Sequence, residues 1–340
     1  MSTTTLTAAA SAAIHPVTAR RLSGFKPTGR LHLGNYLGAI RPMTDGQSGQ
    51  DSVVMIADLH ALTVEHDPAR LRQLTAEILA TLIACGVDPG SALCYVQSDV
   101  PEHAELHYLL ECATGYGEAS RMIQFKEQQS RSAQIRLSLL TYPVLMAADI
   151  LLHDADEVPV GDDQTQHIEL ARDVANRFNT RYGRTFVVPR AVNPGVAARV
   201  MDLSDPTGKM GKSSTSDAGL VYLLDEPAAI RRKIARAVTD ADGEVRYDPH
   251  RKPGLSNLLE ILAACDRDQP DVVALRFANY GEVKEALAAS VQAALAPIQA
   301  RYTELLADPG HLNQLRRDGA ERARDRAART VARAKHAIGL

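Results

Sequence analysis

The stretch RLSGFKPTGRLHLGNYLGAI, residues 21–40, decides how the chain is read. It opens on a short apolar run, passes through a proline and closely spaced glycines, and leaves on a helical pattern from Asn35 to Ile40. A strand that turns through glycines into a helix lets backbone approach a phosphate closely, and the positive end of the helix favours the negative charge. The spacing fits neither G-x-x-x-x-G-K-[ST] nor G-x-G-x-x-G. His32 and Asn35, separated by Leu33 and Gly34, are placed to reach one ligand. Taken alone, the stretch is equally a glycine-rich bend with a satisfied polar cap.

RLSG (21–24) is the first of five short strand-like runs; SVVMIA (52–57), ALCYVQ (92–97), EVPVG (157–161) and TFVVP (185–189) follow. Helical patterns separate them, as where Leu71, Leu74, Ile78 and Leu82 recur at helical spacing. Apolar strands alternating with helices predict an α/β fold with a parallel sheet covered on both faces. Ligands of such sheets sit at the carboxyl ends of the strands. Those ends carry Lys26, Asp58, Gln97, Gly161 with Asp163, and the segment after Pro189. Beyond about residue 200 strand signals stop and helical ones continue, ending in one long Arg- and Ala-rich stretch. The expected organisation is a disordered tail (1–19), a parallel-sheet domain (20–202), a smaller all-helical domain (203–300) and a final helix (301–340) packing back on the body.

The 340 residues are 45% hydrophobic and 23% charged, as in ordinary globular proteins, and suffice for two domains. No apolar run approaches the ~18 residues of a membrane span. The net charge of -3 means that a nucleic-acid partner must meet a local basic patch. Cys85, Cys94, Cys112 and Cys265 are scattered, which argues against a disulfide framework or a zinc site and fits a reducing cytoplasm. Residues 1–19 lack the basic start of a secretory signal and have too few large apolar side chains to order. The chain contains no tryptophan.

A second signal lies at the junction of the two expected domains. DPTGKMGKSSTSD (205–217) is a Gly/Ser/Thr loop with Lys209 and Lys212 three apart, which alone reads as a solvated linker. Paired with H-L-G-N at 32–35, it resembles the two signatures of class I aminoacyl-tRNA synthetases. TYPVLMAADILL (141–152), VPVGDDQTQHIELARDVANRFN (158–179), ARVMDLSDPTGKMGKS (198–213) and YVQSDVPEHAEL (95–106) extend the likeness to the bacterial tryptophanyl-tRNA synthetases, over roughly residues 21–340.

That resemblance implies a Rossmann-type catalytic domain with a smaller all-helical C-terminal domain, a homodimer, and tRNA(Trp) and L-tryptophan as partners. It implies two steps: attack of the tryptophan carboxylate on ATP, with Mg²⁺ borne by the substrate, then transfer to tRNA. An α-carboxyl titrates at about pH 3.5, so the first nucleophile needs no general base. Alignment of two anions and stabilisation of phosphate charge remain as the enzyme's task. By resemblance, Lys26, Pro27, Thr28, Gly34 and Asn35 line the ATP phosphates, with His32 and Asn35 among the catalytic residues. Gly161, Asp162, Asp163 and Gln164 hold the ribose side, and Val200 and Met201 flank adenine. Lys209, Met210, Gly211, Lys212 and Ser213 close over the phosphates, with Lys209 and Lys212 also catalytic and Lys212 steadying the leaving pyrophosphate, on a loop that Gly208 and Gly211 allow to move. Asp163 with Gln166 also reads as a helix cap.

Tyr142, Met146 and Asp149, spaced four and three, share one helix face. An apolar slot with one carboxylate suits indole, which has flat hydrophobic walls and a single N–H. By resemblance His60, Gln164 and Gly24 adjoin that slot; His60 is read as ending the second strand.

Three positions depart from the family pattern. Lys26 stands where glutamine is usual, Gln128 where lysine is usual, and Gly211 where serine is usual. We expect Lys26 to replace part of the missing charge and to alter how tryptophan-like inhibitors sit, as in an auxiliary, inhibitor-tolerant copy. RRKIAR (231–236) and Arg316, Arg317, Arg322, Arg324, Arg326, Arg329 and Arg333 are interleaved with acids and read first as solvated faces. The resemblance adds an anticodon contact for the helical domain. Two rivals stay open: a tyrosyl-tRNA synthetase, and a tRNA- or tryptophan-binding regulator without catalysis.

Overall fold

The computed structural model describes residues 19–47, 49–123, 125–126, 136–161, 164–192, 200–211 and 216–340. Strands β1 (Arg20–Phe25), β2 (Asp51–Ile56), β3 (Leu93–Val96), β4 (Glu157–Pro159) and β5 (Arg190–Val192) form one sheet in the order β3-β2-β1-β4-β5. All pairs are parallel, with Leu22 opposite Val53, Val54 opposite Cys94 and Val158 opposite Ala191. Strand order reverses at β1, between β2 and β4, and that is where open α/β sheets bind ligands.

The run DSVVMI in β2 is buried on both faces except at its first residue, and alternation sorts its side chains. Val54 and Ile56 face one core with Cys94 and Val96, joined by Leu33 of α1 (Leu33–Asn35) and by α2 (Pro68–Ala84). Val53 and Met55 face a second core with Leu22 and Tyr95. That second core is closed by α3 (Glu102–Glu111), α4 (Leu137–Leu152) and α5 (Thr165–Tyr182). The first core continues from α2 into α6 (Pro227–Ala235), α7 (Pro253–Asp266) and α8 (Tyr280–Ala307), through Leu258, Leu262, Leu287 and Leu295. Helical and sheet regions therefore share apolar packing. Among the described residues, no helix is long and apolar enough to cross a membrane.

α9 (Pro309–Ile338) lies against β3, α3 and α4. Gly319 meets the β3 backbone so closely that a Cβ there would stand 1.9 Å from the Cys94 carbonyl oxygen. The arginines of α9 are not only a solvated face: Arg316 and Arg326 are half-buried, and several of the exposed ones are paired. Arg316 grips Asp99 with two nitrogens at 2.5 and 2.8 Å, Arg326 reaches Asp51 at 3.1 Å and Arg333 reaches Asp154 at 2.7 Å. Arg324 donates to the Asp99 carbonyl and Arg322 to that of Pro89, whereas Arg317 and Arg329 bond within their own helix. Their spacing matches acids and carbonyls at the strand ends below.

Three local expectations are corrected. TFVVP (185–189) is not the fifth strand, which is Arg190–Val192. Asn179 takes the backbone N–H groups of Thr185 and Phe186 and donates to the Phe186 carbonyl, so those groups never reach the sheet. His60 lies in a 3₁₀ turn, Leu59–Thr63, beyond the end of β2. α5 starts at Thr165 with Gln164 as its cap residue, one place later than expected, and the Gln166 side chain accepts from Ile123 N.

Candidate active site

At the carboxyl end of β1 the chain turns at Lys26–Thr28 and comes back extended at His32, which bridges to Tyr222. Leu33 N donates to Val221 O at 2.8 Å and Leu223 N to Leu31 O at 3.0 Å, tying the turn to a remote segment. The Asn35 side chain accepts from His32 N at 3.1 Å and closes the first helical turn. Directly after it, residues 36–40 form a π turn in which Arg41 N donates to Tyr36 O, a widening often found at functional sites.

Gly34 is where the two distant signatures touch. A Cβ on it would stand 3.5 Å from Met210 Cβ and 3.1 Å from His32 Nδ1. Met210 is buried, Lys209 is exposed, and Met210 N donates to Val200 O at 3.0 Å across a narrow hairpin. Two buried polar side chains hold that hairpin. Asp202 accepts from Ser204 N at 2.7 Å and Asp205 N at 3.2 Å, and Gly219 fits against it only for want of a Cβ, which would stand 1.7 Å from Oδ1. Asn257 of α7 accepts from Met201 N at 2.8 Å and donates to Met201 O at 3.1 Å. The Val200 side chain is part of the apolar core.

The second half of the site is built on Asp149, whose side chain is buried inside α4. Gln97 Nε2 and His103 Nδ1 each lie 2.7 Å from its Oδ1, and His60 Nε2 lies 2.8 Å from Oδ2. Burial pushes the carboxyl up, but the hydrogen bonds from His103 and His60 outweigh it and hold Asp149 well below the usual carboxylate range. Tyr142, one face-step away, pairs its hydroxyl with His167 Nε2 of α5 at 2.9 Å, and its ring stands edge-on to His60. Met146 is partly buried beside the same core. Gly24, on β1, stands next to Met55 and is exposed.

The halves are linked through the ends of β1 and β2. Lys26 Nζ donates to Thr63 Oγ1 at 3.2 Å, and the Thr63 hydroxyl donates to the His60 carbonyl at 2.9 Å. Gln97, at the end of β3, also accepts from Leu59 N at 3.1 Å. Gly161 follows β4, where its carbonyl accepts from Gln164 N at 2.9 Å.

Residues 17–296 match the family model of class I tRNA synthetases for tryptophan and tyrosine. The chain belongs to that family. It is 55% identical, over 94% of its length and 98% of the relative's, to tryptophan–tRNA ligase 1 of Streptomyces avermitilis. Its fold is similar to that of the Mycoplasma pneumoniae tryptophanyl-tRNA synthetase, with a TM-score of 0.88, 34% identity, and coverage of 95% of this chain and 98% of that one. It is also similar to the Campylobacter jejuni tryptophanyl-tRNA synthetase solved with ADP and tryptophan, with a TM-score of 0.82, 33% identity, and coverage of 94% and 100%.

Within this tRNA synthetase, several expected site residues lie outside the described residues: Asp162, Asp163, Lys212 and Ser213, and with them Gln128 and the tail up to residue 18. The expected exchange of cations between positions 26 and 128 thus has only its Lys26 half in view. Sequence reasoning did not single out His103, Asp202 or Asn257, and it noted Gln97 only as a strand end. His103 and Gln97 stand in YVQSDVPEHAEL, and Asp202 in ARVMDLSDPTGKMGKS. Gln97, which ends the apolar run ALCYV, offered a signal; His103, which follows Pro101 and Glu102, offered none. Which carboxylate Gln97 would meet was not legible.

Proposed function

We infer that this chain is a tryptophan–tRNA ligase, which activates L-tryptophan with ATP and passes it to tRNA(Trp). The observation that carries this is the contact of the His32–Asn35 turn with the Lys209–Gly211 hairpin, joined through Lys26, Thr63 and His60 to one buried carboxylate. A triphosphate laid along the Gly34 turn meets backbone and the start of a helix, and exposed Lys209, next to Met210 in the chain, is a cation available for phosphate charge. Mg²⁺ would arrive on the ATP as part of the substrate. Asp149, kept ionised, accepts the indole N–H, while Met146 and Tyr142 supply apolar walls. A tyrosine side chain offers no ring N–H to that carboxylate and sets a differently placed hydroxyl against it, so the slot favours tryptophan.

For the RNA step, Arg231, Arg232 and Arg236 on and just after α6 are exposed and suit phosphates, whereas Lys233 is committed to Asp225 at 2.6 Å. The arginines of α9 are mostly spent on the sheet body, so the helical unit that carries α6 is the better anticodon-side candidate. Exposed Tyr108, Tyr116, Ile123 and Leu137 mark α3, the turn after it and the start of α4 as the face for a second copy of the chain. ATP–pyrophosphate exchange with tryptophan and with tyrosine, followed by charging of tRNA(Trp), tests the assignment. Exchange with tryptophan alone is expected, and Lys209→Ala should lower kcat roughly a hundredfold with little change in the tryptophan KM. Preference for tyrosine, or binding of tryptophan without exchange, would overturn it.

A further inference from the structure

Behind Asp149 lies a buried chain of polar groups that neither chemical step uses. Tyr95 on β3, His103 on α3 and His153 just after α4 each have 0% exposure. The Tyr95 hydroxyl is 2.9 Å from His103 Nε2 and 2.7 Å from His153 Nε2, and His103 Nδ1 reaches Asp149 Oδ1. The three rings pack with centroids 5.3 to 5.7 Å apart. Polar groups buried this deeply are costly unless each is satisfied, and a core built for packing alone would hold apolar side chains here.

The proton positions follow from the partners. With its Nδ1 hydrogen on Asp149 and no second proton on the ring, His103 accepts at Nε2 and the Tyr95 hydrogen points there. The Tyr95 oxygen then accepts the Nε2 hydrogen of His153. This leaves His153 Nδ1 without a hydrogen, and that nitrogen is the one with no hydrogen-bond partner among the described residues. A bare buried acceptor is tolerated more readily than an orphaned N–H, so the direction of the chain is self-consistent.

The carboxylate at its end is nearly full. An ionised carboxylate offers about four acceptor sites. Gln97 and His103 take both on Oδ1, and His60 takes one on Oδ2. We propose that Tyr95 and His103 are positioning residues for side-chain selection, which pin Oδ1 of Asp149 and leave one lone pair of Oδ2 as this carboxylate's remaining acceptor for a ring N–H. The proposal rests on the assignment of Asp149 to the indole nitrogen. Without the relay the carboxylate could rotate, His103 could change tautomer, and the slot would accept a ring lacking an N–H at less cost.

The test is the ratio of kcat/KM in ATP–pyrophosphate exchange for tryptophan over benzothienylalanine, in which sulfur replaces the ring N–H. Tyr95→Phe should lower this ratio about tenfold, the worth of roughly one hydrogen bond, with the KM for ATP unchanged. His103→Asn keeps an N–H near the Nδ1 position and drops the Tyr95 contact, so its ratio should lie between wild type and His103→Ala. A general loss of structure would lower both substrates together and leave the ratio alone. If Tyr95→Phe does not fold, the His103 pair decides. Variants that keep the wild-type ratio overturn the relay while Asp149 keeps its role. A wild-type ratio near one would instead remove the indole assignment itself.

Discussion

A histidine sealed inside a core makes the stability of the chain depend on pH. Burial, with the Arg326 guanidinium nearby, holds the His153 pKa well below its ordinary 6.5. Below pH 6.5 the unfolded chain therefore binds a proton that the folded chain refuses. The sign is fixed: this contribution is fully present above that pH and is lost as pH falls, by up to about 1.4 kcal/mol per pH unit. Urea unfolding of wild type and His153→Gln between neutral and mildly acidic pH should show the variant losing less stability on acidification; parallel slopes would contradict it. At this scale Asp149 was legible because a lone carboxylate inside LMAADILL demands a partner. His103 and Gln97 were not, because the partner belongs to another element and spacing along the chain says nothing about it.

At the scale of elements, α9 depends on one position without a side chain. Ala is a better helix former than Gly by about 1 kcal/mol, so Gly319→Ala would stabilise a free helix. Here the added Cβ meets the Cys94 carbonyl, and the helix must lift from β3. The expected result is a net destabilisation of about 1–3 kcal/mol in urea unfolding, and a neutral or stabilising effect would refute the contact. The same contact explains why the arginine-rich stretch was only half read. Charge interleaved along a helix looks the same whether it faces water or a row of acids, and only docking on β3 showed Asp51, Asp99 and Asp154 beneath it. TFVVP failed for a related reason. A β-branched run is a strand only if an edge is free to pair with it, and the Asn179 side chain had taken its backbone groups first.

At the scale of the whole molecule, one apolar core runs from a sheet face through α2 into the helical unit, so the unit's arrangement is coupled to the strands that carry the site. Tyr108, Tyr116 and Leu137 are 66%, 74% and 74% exposed, and these are the side chains proposed to meet a second copy. Analytical ultracentrifugation at micromolar concentration should give twice the chain mass, and Leu137→Asp should shift it toward a single chain. A wild-type chain sedimenting as a monomer would dismiss this face as the interface.

The sequence alone determined the parallel α/β architecture, because hydrophobic period and glycine-rich turns are local properties. It also identified the two signature loops and the buried acid on α4, since each is an anomaly against its own neighbours. Tertiary structure decided what those anomalies meet: Gly34 against Met210, Asp149 against His60, Gln97 and His103, and α9 against the acids at the strand ends. Such contacts join residues far apart in the chain, and their energy depends on distance in space, which only the packed fold sets.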